Sequence, residues 1–139
     1  MASADGVLAV AQILRDDSAL LKLLGGDASR ILVDDLTDAE VKAQPRSAVL
    51  CTASGGSRDT QGLPIVYQNV DVRCYGQNAS VGRALALAAR HVLVNAGRQS
   101  VTNSTIFMGA RVRQELRNEY DSSTAWRFAI FRVEVLVAR

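Results

Sequence analysis

The sequence predicts an α+β domain: an antiparallel or mixed sheet of about four to five strands, with two main helices packed on one face, in the order α-β-β-β-α-β-β. Three observations carry this. Residues 5–24 and 78–96 repeat their apolar positions at 3.6, as amphipathic helices do. Residues 65–75, 105–117 and 125–137 alternate with a period of two, as half-buried strands do. The helical and strand segments are also grouped rather than strictly alternating. With 139 residues, the chain reads as one domain, 1–139, large enough for one core.

The first helix spans Asp5 to Leu24, with Val7, Val10, Ala11, Leu14, Leu21 and Leu24 close to one face. Asp16-Asp17-Ser18 interrupts it, where Asp17 or Ser18 can cap a second short helix. Gly25-Gly26 ends it, because glycine accepts the left-handed conformation of a helix C-terminus. Ile31-Leu32-Val33 is a short strand and is followed by an acidic stretch, Asp34 to Glu40. The next strand lies within Arg46–Ala53, and residues 52–64, TASGGSRDTQGLP, form the most loop-like part of the chain. Such a loop has little to bury and serves contact or stays unstructured.

Ile65 to Tyr75 is a long strand, with Val66, Gln68, Val70, Val72 and Cys74 on one face and Tyr67, Asn69, Asp71, Arg73 and Tyr75 on the other. Gly76 closes it. Asn78 or Ser80 then caps a helix reaching about Ala96, with Gly97 as its stop. Val81, Leu85, Ala88, Ala89 and Val92 make its expected core stripe. Thr105 to Arg117 is a strand with Ile106, Met108, Ala110, Val112 and Leu116 on one side. Asn118 to Thr124 is a connection. Ala125 to Val137 is the last strand, with Ala129, Phe131, Val133, Val135 and Val137 facing one way and Trp126, Phe128, Ile130, Arg132 and Glu134 the other.

Composition narrows the function classes. Hydrophobic residues are 48% and charged residues 22%, ordinary globular values that exclude wholesale disorder. No apolar run reaches the roughly 20 residues of a membrane helix. MASADGVLAV has neither the basic start nor the cleavage site of a signal peptide, and Cys51 and Cys74 are too few for a disulfide framework. The expectation is a soluble chain made in a reducing compartment. A net charge of +2 gives no electrostatic case for a dedicated nucleic-acid binder. The 14 Arg against 2 Lys fit either a GC-rich coding sequence or a protein contact surface, where arginine is enriched.

Catalytic and ligand motifs are missing. His91, the one histidine, sits mid-helix with no marked nucleophile or orienting acid, so it reads as a surface or packing residue. Cys51 and Cys74 lack further ligands at zinc spacing and read as buried thiols. Asp34, Asp35, Asp38 and Glu40 lack the spacing and glycine of a calcium loop. Gly25-Gly26 and Gly55-Gly56 are not phosphate loops, because neither joins a buried strand to a helix. The sequence therefore predicts no enzyme, no cofactor and no metal site.

Two surfaces instead read as contacts. A second stripe on the long helix, Arg83, Leu87, Arg90 and Val94, is too apolar for a solvated flank. On the last strand, Trp126, Phe128 and Ile130 lie on the sheet face away from the helices, where something must cover them. Arg111, Arg113 and Arg117, with Arg127 nearby, form a candidate basic strip. It is either an exposed cationic face or a strip pairing with carboxylates or DNA backbone.

The helix pair with DDSALLKLLGG and RILVDDL, the strand VDVRCYG, the alanine-rich SVGRALALAARHVLV that follows it, and the closing pair of long strands together resemble the tail terminator (tail completion) proteins of long-tailed bacteriophages. Pro45 stands where such proteins carry a proline before their second strand. The resemblance implies a ring-forming subunit, a homohexamer, that caps the tail tube, stops its polymerisation and offers a docking surface to the head connector. It implies as partners a tail tube protein and a head connector or neck protein, with DNA passing the lumen without sequence-specific binding and no membrane. It places the chain in the virion tail or neck, after assembly in the host bacterial cytoplasm. On that reading the ring interface joins the Arg83/Leu87/Arg90/Val94 stripe to the Trp126/Phe128/Ile130 face. Ser54, Gly55, Gly56, Ser57, Arg58, Asp59, Thr60 and Gln61 form a loop docking to the tube or neck. Another head–tail joining ring is the alternative, and a small DNA-associated module using the four arginines is a more distant one.

Overall fold

In the computed structural model, which describes residues 6–34, 47–54, 58–59, 65–101, 105–121 and 126–138, the chain begins with a broken helix that owes its shape to local chemistry. Helix α1 (Gly6–Arg15) stops at the two aspartates, and α2 (Ser18–Leu23) starts on Asp17, whose carboxylate accepts the Leu20 N–H at 2.8 Å. Gly25 and Gly26 then take φ of 73° and 81°. Their N–H groups donate back to Lys22 O at 3.3 Å and Leu21 O at 2.7 Å, the double closure that satisfies the last carbonyls of a helix.

After a single 3₁₀ turn (Ala28–Arg30) come strands β1 (Ile31–Val33), β2 (Ser47–Ala53), β3 (Arg58–Asp59) and β4 (Ile65–Gly76). Helix α3 (Ala79–Asn95) follows, capped by Asn78, which accepts the Val81 N–H. Strands β5 (Gln99–Ser100), β6 (Ile106–Asp121) and β7 (Trp126–Ala138) complete the described residues. The sheet order is β1-β2-β4-β7-β6-β5, with β3 paired to β4. All pairings are antiparallel except β1 with β2, so the sheet is mixed. The fold is therefore α+β as expected, but with seven strands among the described residues rather than four or five. The additional strands, β3 and β5, are two residues long, too short to show a period.

The main core lies between the helices and one sheet face. Val10, Leu14 and Leu20 from α1 and α2, Leu85, Ala89 and Leu93 from α3, and Val70, Phe131 and Val133 from the strands are all fully buried. The face of α3 that meets the sheet is Gly82, Leu85, Ala86, Ala89 and Leu93. The expected stripe through Val81, Ala88 and Val92 is rotated to a half-buried flank. This rotation follows from the close approach at Gly76 and Gly82: a Cβ on Gly76 would stand 2.4 Å from the Gly82 nitrogen.

Strand β6 departs most from its expected pattern. Its register against β7 shifts between Phe107 and Gly109, between Val112 and Gln114, and between Gln114 and Arg117. Each shift inserts an unpaired residue and bends the strand. Phe107, not Ile106 and Met108, enters the core, and alternation restarts after the first bulge with Ala110 opposite Val135. Residues 118–121, expected as connection, continue the ladder opposite 126–129.

Candidate assembly surfaces

On α3, Arg83 is exposed, Leu87 is 48% and Val94 44% exposed, and they share a flank with Arg90. Arg90 reaches across to β6, where its Nε and Nη2 donate to Glu115 at 3.2 and 2.8 Å. This hydrogen-bonded carboxylate raises the Arg90 pKa further. The pair locates the stripe on the side of α3 that faces β6, where half-buried Val112 and Leu116 pack at the margin of the core. Two large apolar residues thus stand in solvent beside a second apolar margin. Leu8, Leu23 and Tyr120 are also exposed, and nothing in their sequence spacing marks them.

The other expected surface is closed within the chain. Trp126, Phe128 and Ile130 are only 2%, 8% and 5% exposed, in a second cluster with Leu50 and Tyr75 on the sheet face away from the helices. Tyr75 lies directly opposite Phe128 across the β4–β7 ladder, their rings 5.2 Å apart, and meets Trp126 edge-on at 5.5 Å. The Arg73 guanidinium sits 5.3 Å over the Phe128 ring. These residues pack against one another and are buried within the chain, so the expectation of an open Trp126/Phe128/Ile130 patch is corrected. Register decides it, and register is not readable from one strand alone.

The four arginines do not form one strip. Arg111 lies opposite Glu134 and bonds it at 2.8 Å, and Arg117 donates to Glu119 at 2.6 Å and to Gln114. Arg113 falls at the second bulge. Arg127 pairs with Tyr120 and shares the helix-facing side with Ala129 and Phe131, opposite to Arg111 and Arg117. It borders a cleft of about 270 Å³ with Asn78, Gly82 and Tyr120 at the start of α3. The bulges break the alternation that had put Arg111, Arg113 and Arg117 together. A further cross-strand pair, Arg132 with Asp71 at 2.9 Å, is absent from the sequence reading; it becomes visible only once β4 and β7 are known to be neighbours.

Of the expected docking loop, Ser54 follows β2 and its N–H donates to Asn69 O, while Arg58 and Asp59 form β3, so the segment is not loop throughout. Gly55, Gly56, Ser57, Thr60 and Gln61 lie outside the described residues, as do Asp35, Asp38, Glu40 and Pro45. His91 is exposed, its ring beside Asn95. Cys51 and Cys74 are free and fully buried; burial pushes the Cys51 thiol up to about 12 and Cys74 well above its usual value. Among the described residues no group of three or more His, Cys, Asp or Glu is placed to hold a metal ion. No helix among them is long and apolar enough to cross a membrane.

No family model and no curated protein matches the chain. Among solved structures it is similar to a chain of the virion of a native gene transfer agent particle. The TM-score is 0.68 at 15% identity, over 96% of each chain. The likeness is one of fold, end to end.

Proposed function

We propose that this chain is a structural virion protein of a phage-like particle, and within it the ring-forming tail terminator. On this reading the ring, a homohexamer, caps the tail tube, stops its polymerisation and receives the head connector, while DNA passes its lumen unread. The observation that carries the reading is the likeness over 96% of both chains to a virion chain of a gene transfer agent particle. The sequence resemblance to tail terminators points the same way. The α3 flank agrees with it, since Leu87 and Val94 stand exposed on a fold whose own aromatic face is sealed. A likeness to a virion chain suits a neighbouring neck or head–tail joining ring equally well, which is the second reading. A DNA-binding module gains no support, because Arg111 and Arg117 are already engaged by carboxylates.

Gold labelling tests the placement. Particles carrying a tagged copy of the chain, imaged by negative stain, are expected to bear label at the junction of head and tail. Label at the distal tail tip, on the head surface or absent from the particles contradicts it.

A further inference from the structure

The two edges of the sheet are unlike. At one, β1 is three residues long, and its Ile31 carbonyl already accepts Arg15 Nε and Nη2 at 3.2 and 2.7 Å. At the other, β6 runs for 16 residues, and β5 pairs with only Ile106 and Phe107 of them. Among the described residues no strand lies beyond β6 from Met108 to Asp121. Alternate backbone N–H and C=O groups along this stretch therefore point away from β7 with no ladder partner. Most of the edge is blunted all the same. Register shifts bend it between Phe107 and Arg117, and bulges of this kind keep natural sheet edges from accepting another strand. The end of the strand lacks that protection. Arg117–Asp121 pair one for one with Ile130 back to Trp126, and residues 117–120 are exposed. This run is as long as an ordinary strand.

The helix side of the same run opens on the cleft of about 270 Å³ that Asn118, Tyr120 and Arg127 border with Asn78 and Gly82. Tyr120 is 58% exposed, and Arg127 stands directly opposite it on β7. Arg127 is exposed and makes no ion pair among the described residues. The nearest carboxylate in the run, that of Glu119, is bonded by Arg117 at 2.6 Å, and both residues pair with the outward-facing side of β7. One regular stretch of open edge thus lies beside a cleft with an uncompensated positive charge.

We propose that Arg117–Asp121 take up an extended segment of another protein as an added strand, with an aspartate or glutamate of that segment seated against Arg127 in the cleft. The occupant is a strand because only extended backbone offers donors and acceptors at the spacing this edge presents. Its carboxylate follows from Arg127, the charge in the cleft that nothing within the chain answers. A side chain of the added strand on the helix side starts two strand spacings, roughly 10 Å, from the Arg127 backbone. An arginine and a glutamate side chain close that gap between them, passing over Tyr120 and Asn118. The bulges confine the strand to this end of β6, and the cleft selects its side chain.

The probe is a synthetic octapeptide of alternating threonine and valine with one central glutamate, titrated into the isotope-labelled full chain and followed by amide NMR. Saturable shifts are expected at the amides of Arg117–Asp121, with slowed hydrogen exchange at alternate ones, and none along β1. Replacing the peptide's glutamate by glutamine should weaken binding about fivefold, as should Arg127→Gln. The two changes together should cost no more than either alone, because both remove the same pair. Peptides N-methylated at alternate residues separate backbone from side-chain binding. Methylation of the set facing β6 should abolish the shifts, and methylation of the other set should leave them. Absence of shifts at 117–121, equal shifts along β1, glutamine bound as well as glutamate, or N-methylation of either set without effect overturns the proposal. The peptide variants leave the chain untouched, so the test does not hang on the folding of a mutant. Gold labelling reads the virion role separately, so either conclusion can fail without the other.

Discussion

Replacing Gly76 with alanine probes the contact that seats α3 on the sheet. The added Cβ would lie 2.4 Å from the Gly82 nitrogen and 2.9 Å from both the carbonyl carbon and the Cβ of Val81. Two of those atoms are backbone, so no rotamer change relieves the clash. Ordinary carbon contacts begin at about 3.5 Å, so the first turn of α3 must lift by roughly 1 Å. A gap of that size forfeits about a quarter to a half of each dispersion contact it opens, and those of Leu85 and Ala86, both fully buried, are the nearest. Overpacking of this kind costs about 1–3 kcal/mol, and the rigid neighbours place Gly76→Ala at the upper end, about 3 kcal/mol. For a domain of this size that lowers the melting temperature by roughly 10 °C. Gly82→Ala is the internal comparison. Its Cβ would meet the Cys74 carbonyl oxygen at 3.0 Å, a tight contact that offsets the helix-propensity gain of about 1 kcal/mol and leaves stability within about 1 kcal/mol of wild type. Thermal unfolding followed at 222 nm reads both. A loss below about 2 °C for Gly76→Ala refutes the close-packing argument.

Trp126→Ala should destabilise by about 3–5 kcal/mol, because the ring is buried against Tyr75 and Phe128, whereas Leu87→Asp should change monomer stability by less than about 0.5 kcal/mol; urea unfolding separates the two, and equal effects contradict the assignment of one to the interior and the other to the surface. Asp17→Ala and Asn78→Ala each remove the side chain that caps a helix and should cost about 1 kcal/mol, measured the same way, with no loss at either site counting against the caps. Cys51 and Cys74 should react with a thiol reagent only at the rate of unfolding. Their folded pKa values lie above the ordinary 9.0, so the native chain holds its protons longer than the unfolded one. Stability is thus full below pH 9 and falls as the pH rises toward 12; rapid labelling in native buffer contradicts their burial.

What the sequence made legible follows the range of the interactions. Helix breaks and caps at Asp17, Asn78 and Gly25-Gly26 are decided within four residues, and the structure places each where local chemistry puts it. The long strands β4 and β7 show their core faces by alternation, because no bulge interrupts their mutual register. Strand β6 defeats the same reasoning: three register shifts re-aim its side chains, and the supposed row of Arg111, Arg113 and Arg117 dissolves with them. Trp126 packs on Tyr75, fifty-one positions away in a neighbouring strand, so periodicity alone cannot show that its face is closed. The α3 stripe was legible because an exposed leucine and valine at helical spacing break the polarity expected of a flank, whatever the sheet does. Its tie to Glu115 was not, since that contact bridges two elements.

The claim that this fold caps a tail tube is tested most directly by polymerising purified tail tube subunits with and without the chain. Negative-stain imaging then gives the tube lengths and the shape of the tube ends. The account predicts tubes that stop growing once the chain is added, each with a ring of extra density at one end only. Tubes that keep their length distribution and end without added density, at a chain concentration above that of tube ends, would contradict it.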